Sequence, residues 1–110
     1  MINEKLKNEI LTNLKPLNLE KVILFGSHAY GTPHENSDVD LYIVTKDDFM
    51  PQNFEEKTNV YLKVSNTLKK QRKSVDIDLI VHTKKMYEKF ITINSLFARE
   101  IMHKGITLNA

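Results

Sequence analysis

Gly26 and Ser27, a gap of ten residues, and then Asp38-Val39-Asp40 put a phosphate-sized turn into the same stretch as two carboxylates spaced for a metal ion. That combination suits transfer of a nucleotidyl group, because hard divalent cations bind carboxylate oxygens together with substrate phosphates. Residues two apart on a strand point to the same face, so Asp38 and Asp40 project together while Val39, Leu41 and Ile43 face the core. Two like charges on one face repel, and water or a cation must separate them. A solvated edge strand whose acids discourage aggregation is the plain alternative for an isolated Asp-x-Asp.

Gly26 and Ser27 follow the apolar run Val22-Ile23-Leu24-Phe25 and open the segment Ser27-His28-Ala29-Tyr30-Gly31. A buried strand that stops there and restarts as a helical turn exposes backbone N–H groups that suit a phosphate. Gly26 permits close approach. Ser27 offers a hydroxyl that either caps the turn or touches a phosphate oxygen, and Gly31 is expected at positive φ, ending the segment before Thr32-Pro33.

A further acid comes from Val75-Asp76-Ile77-Asp78-Leu79-Ile80-Val81. Asp78, flanked by Ile77 and Leu79, sits deeper in the apolar run and is the expected third ligand. A carboxylate buried there needs a cation or donors to stay charged. Asp76, nearer the start of the strand, is the alternative.

Gly26-Ser27, the ten-residue gap, Asp38-x-Asp40 and the later strand carboxylate Asp78 together resemble the polymerase-beta-like nucleotidyltransferase superfamily, and within it the minimal nucleotidyltransferase (MNT) domains. The resemblance runs from about Lys21 to Leu108, because Phe97-Ala98-Arg99-Glu100-Ile101 and Gly105-Ile106-Thr107-Leu108 are similar to the closing helix and short strand of that family. It implies a metal-dependent enzyme with Asp38, Asp40 and Asp78 as catalytic and metal-binding residues. Gly26 and Ser27 are then nucleotide-binding, and the cofactor is Mg²⁺, two ions, with Mn²⁺ as the alternative. The substrate implied is ATP or another NTP, with AMP transferred to an acceptor hydroxyl. MNT domains are commonly paired with a helical HEPN toxin, so the resemblance further implies an antitoxin that modifies a tyrosine of its toxin. Two other classes share the chemistry or the fold: a free nucleotidyltransferase acting on a small molecule or RNA end, and a non-catalytic binding module. The chain departs from the family where basic residues often follow Gly-Ser: it has His28 and Tyr30 instead.

The rest of the chain must position these residues. A chain of 110 residues, 41% hydrophobic, is expected to form one domain spanning 1–110 with a real core and no room for a separate acceptor domain. Ile2, Leu6, Ile10 and Leu14 predict a first amphipathic helix stopped near Pro16. Strands are expected at Lys21 to Phe25, Asp38 to Thr45 and Val75 to Val81, with a short fourth at Ile106 to Leu108. Asn53-Phe54-Glu55-Glu56 predicts a capped helix with Phe54, Tyr61, Val64 and Leu68 inward. A last helical region, roughly Lys84 to Lys104, is expected to break near Asn94-Ser95. The fold expected is α/β (α+β), a small mixed sheet with helices packed on one side.

No cysteine is present, and four scattered histidines form no zinc pattern, so hard oxygen-bound metal is what remains. A formal charge of +2 does not argue for nucleic acid, and Lys69-Lys70-Gln71-Arg72-Lys73 reads as solvated cations at a helix end. No run is long and apolar enough to span a bilayer and no signal peptide is evident, so a cytoplasmic location is expected. His34 and Glu35, before the acids, carry no assigned role.

Overall fold

The computed structural model describes residues 2–31 and 38–109; His34 and Glu35 lie outside them. Helix α1 (Glu4–Leu14) is capped by Asn3, whose side chain accepts from the Leu6 N–H, and gives way to a 3₁₀ turn at Lys15–Leu17 where Pro16 ends it. Strand β1 (Lys21–Phe25) leads to the one-turn helix α2 (Ser27–Tyr30), and β2 (Val39–Val44) to α3 (Phe54–Ser65). Strand β3 (Ile77–His82), helices α4 (Lys84–Ile93) and α5 (Leu96–Lys104) and the short β4 (Ile106–Thr107) complete the order.

The sheet runs β3-β2-β1-β4, with β1 antiparallel to both of its neighbours and β2 parallel to β3. It is therefore mixed, as the sequence implies. Helices cover both faces, however, rather than one. Alternation along β2 explains this, since its residues are apolar on both sides beyond Asp40. Leu41 and Ile43 join Ile10, Val60 and Val64 in the core under α1 and α3. Tyr42 and Val44 join Ile23, Phe25 and Ile101 under α4 and α5.

The break between α4 and α5 falls where expected. Asn94 takes the left-handed conformation (φ 52°), and Ser95 caps α5 through the Ala98 N–H. Two other expectations change. Phe54 is 83% exposed, because it stands six positions before Val60 and so out of phase with the buried Val60, Val64 and Leu68. Strand β3 starts at Ile77, two residues late, because the Val75 N–H is taken by the Gln71 carbonyl at the end of a preceding turn.

The basic run before β3 is not simply solvated. Arg72 donates to Ser65 Oγ, to the Ile77 carbonyl and to Tyr61 Oη, while the buried Gln71 accepts from Asn13 Nδ2. This brace ties the end of α3 to the first residue of β3. No helix among the described residues is long and apolar enough to cross a membrane.

Candidate active site

At the end of β1 the chain turns at Gly26, which adopts φ 76° and caps α2. Its carbonyl accepts from the Ala29 and Tyr30 N–H groups at 3.0 and 3.1 Å. Glycine is required there twice over: by the positive φ, and because a Cβ would lie 2.1 Å from Asp40 Oδ2. The turn and the carboxylate are thus in direct contact, although they lie fourteen residues apart in the chain. Ser27 is the first helical residue rather than the cap, and no side chain caps α2. Gly31 ends the segment at φ −104°, not in the left-handed region; a Cβ there would lie 2.8 Å from Ser27 Cα.

Strand pairing assembles the acids. Asp40 is registered with Phe25 on one side and with Asp78 on the other, so the second carboxylate of the Asp-x-Asp stands beside the third acid on adjacent parallel strands. Asp38 stands exposed at the foot of β2, next to Asp78. Asp76 precedes β3, where its carbonyl accepts from the Val39 N–H at 2.9 Å, and its charge reaches Asp38 only weakly. Asp78 is exposed, which differs from the burial expected of it, since β3 is an edge strand of the sheet and its first turns of side chain lie at the open end.

The electrostatics report this crowding. The Asp38 carboxyl is raised above its ordinary range, chiefly by the charge of Asp78. Asp40 is pushed up to about 6, first by its partial burial and then by the charge of Asp78, with which it also shares a hydrogen bond; Asp38 adds to the shift and His28 opposes it. A carboxyl that holds its proton this far up, between two other acids, is the signature of a cluster lacking counter-charge.

In donor type and number the three carboxylates fit a hard divalent cation. Among the described residues, no group of three acids or histidines stands ready at coordinating geometry, so the side chains pair with one another rather than converge on a point.

Three side chains join the site that sequence reasoning placed only loosely or not at all, Tyr30, Glu100 and Lys104. Tyr30, at the end of α2, lies close enough to Glu100 and Asp40 to feel both charges, and its pKa is raised, mainly by burial. Lys104, on the last turn of α5, lies over the Tyr30 ring at 5.7 Å. No local signal marks Glu100 or Lys104, because each is brought in by the docking of α5 against β1. Beneath Asp40 on the same sheet face, Tyr42 Oη lies 2.7 Å from His82 Nδ1, and burial pushes the His82 imidazole down to about 4.

Comparison with known proteins agrees with this geometry. The family model described as "Polymerase beta, Nucleotidyltransferase" matches residues 4–108. A curated relative from Methanocaldococcus jannaschii, described as a candidate protein adenylyltransferase, is 35% identical over 105 residues, covering 96% of this chain and 93% of its own. Among solved structures, a candidate nucleotidyltransferase from Sulfolobus solfataricus superposes with a TM-score of 0.57 at 21% identity, covering 94% of this chain and 76% of that one. A toxin-antitoxin structure with AMP-PNP gives 0.56 at 22% identity, over 93% and 71%. The two solved structures share the fold, and the family match spans nearly every residue described: the chain belongs to the polymerase beta nucleotidyltransferase family.

Proposed function

We propose that this nucleotidyltransferase moves AMP from ATP to a protein hydroxyl, acting as the antitoxin of a HEPN toxin and modifying a tyrosine of that partner. The observation that carries the reading is the contact of Asp40 with the phosphate-sized bend at Gly26 together with the register of Asp40 with Asp78. A relative described as a candidate protein adenylyltransferase supports AMP and a protein acceptor. The toxin-antitoxin structure with AMP-PNP, which shares the fold, supports both the adenine nucleotide and the partner.

Asp38, Asp40 and Asp78 would hold Mg²⁺, two ions, with Mn²⁺ able to take the same oxygen ligands. When bound, the metal neutralises the phosphates and favours deprotonation of the acceptor hydroxyl. The chain's own residues do the rest. The Gly26 and Ser27 turn holds the phosphates and aligns the α-phosphorus, and Asp78, at the open edge of β3, takes the acceptor's proton. A bond forms between the acceptor oxygen and the α-phosphorus, the bond to pyrophosphate breaks, and pyrophosphate leaves with its electron pair.

The test is transfer of label from ATP labelled at the α- or the γ-phosphate, with Mg²⁺ and a lysate of the host, by the wild type and by the Asp38→Asn/Asp40→Asn variant. A protein band that carries α-label but no γ-label, made only by the wild type, is expected. Label entering RNA or a small molecule instead would replace the protein acceptor by the free-enzyme reading. No transfer by a folded protein that binds neither ATP nor metal would leave only a binding module.

A further inference from the structure

The nucleotide site as built is strongly acidic. Asp38, Asp40 and Asp78 meet at its floor, and Glu100 stands at its side near Tyr30. A triphosphate brought here carries several negative charges of its own, so cations must come from the protein as well as from metal. Helix α2 carries one basic residue, His28, which already faces Asp40. A cation brought to this turn from elsewhere in the fold is Lys104, whose Nζ lies 5.7 Å from the centre of the Tyr30 ring.

A lysine in the last turn of a helix is ordinarily accounted for by the negative helix end and remains in water. That explains its presence in α5 but not its placement. The placement comes from Tyr30, which follows the Gly26 turn within reach of the Glu100 and Asp40 charges and whose ring forms the shelf on which Lys104 rests. Tyr30 thus faces α5 at two positions one helical turn apart, Glu100 and Lys104. Lys104 is exposed and Tyr30 is 37% exposed, so both are open to a ligand from the solvent side. A flexible four-carbon stem lets the ammonium leave the ring for a phosphate oxygen, and the ring's attraction is weak enough to yield to that charge pair.

Resting on the nucleotidyltransferase reading above, we propose that Lys104 is a substrate-binding residue that meets the β- and γ-phosphates of the nucleotide, and that Tyr30 is the positioning residue holding it at the Gly26 turn. The basic charge absent from the turn itself is supplied by the closing helix.

The experiment is calorimetric titration of the full chain with ATP and with AMP, each with Mg²⁺, for the wild type, Lys104→Met, Lys104→Arg and Tyr30→Leu. Loss of one charge-assisted contact lowers ATP affinity roughly ten- to a hundredfold in Lys104→Met. AMP affinity, which involves no β- or γ-phosphate, stays within about twofold, and Lys104→Arg retains most of the ATP affinity. Tyr30→Leu removes the ring on which the ammonium rests, so it weakens ATP in the same selective way by a smaller factor. Equal ATP affinity in Lys104→Met and the wild type overturns the inference while leaving the proposed function intact. An equal loss for ATP and AMP overturns it too, because it marks a structural effect. A wild type that binds no ATP overturns the proposed function first, and this inference with it.

Discussion

Asp40 holds opposing demands. Its carboxyl keeps a proton up to about pH 6 in the folded chain but only to about 3.8 when exposed. Between those values the folded state binds more protons than the unfolded one, so stability falls as pH rises through the window, and the full penalty applies above it. His82 acts in the other direction. Folded, it takes a proton only near pH 4, against an ordinary value of 6.5, so its contribution is present above 6.5 and is lost as pH falls toward 4. The two slopes oppose each other in the wild type. Asp40→Asn removes the first, and the variant is expected to melt higher than the wild type at pH 7 without metal. It should also lose stability more steeply between pH 6 and 4, as thermal melts across that range would show. A variant that melts lower at pH 7 would mean that Asp40 is not under charge strain.

The acids themselves were legible in the sequence because Asp-x-Asp, read with strand periodicity, fixes which side chains share a face. That Asp78 rather than Asp76 stands beside Asp40 depends on the register of β2 with β3, which no local pattern encodes. The exposure of Asp78 was misread for a related reason: flanking Ile77 and Leu79 point to the other face, and burial on the acid's own face depends on what covers it.

At the level of elements, the β1-turn-α2 unit is a backbone device for placing Asp40. Gly26 contacts that carboxylate directly, and its positive φ lets α2 start immediately after the strand. Gly26→Ala is expected to cost about 1–3 kcal/mol, from backbone strain. It should also displace the Asp40 side chain and lower transfer more than stability alone accounts for. Denaturant melts and transfer rates measured on the same samples would separate the two effects, and unchanged transfer would mean that the contact does not position Asp40. Strand β1 and the α4–α5 break could be read before the structure because each is signalled locally, by a continuous apolar run and by Asn-Ser at a helix joint. The start of β3 could not, since the Gln71 carbonyl takes the Val75 N–H and Gln71 itself is held by Asn13, far away in the chain.

Across the whole molecule, the sheet carries two apolar layers and leaves the acids at the end of one of them. An overall charge of +2 conceals this, because local clustering rather than net charge sets the potential at the site. The second helical layer, α4 and α5, was missed as a layer because its residues were expected on the same side as α1 and α3. Tyr42, fully buried between His82 and Phe90, is the residue that requires it. A chain whose site is destabilised by its own carboxylates should gain on binding their counter-charge. Mg²⁺ with ATP at about a hundredfold above Kd would add about 2.7 kcal/mol of stability. For a chain of this size that is a rise in Tm of the order of 10 °C. The Asp38→Asn/Asp40→Asn variant should show little of it, and an equal rise in both proteins would place binding elsewhere.

The central claim is that strand pairing selects Asp38, Asp40 and Asp78 as the working set, and the most direct test compares Asp76→Asn with Asp78→Asn in transfer of α-labelled phosphate from Mg²⁺-ATP to the acceptor. Asp78→Asn should lose activity by about two orders of magnitude or more while keeping its fold, and Asp76→Asn should stay within a fewfold of the wild type. Full activity in Asp78→Asn, with the loss appearing in Asp76→Asn, would contradict the account.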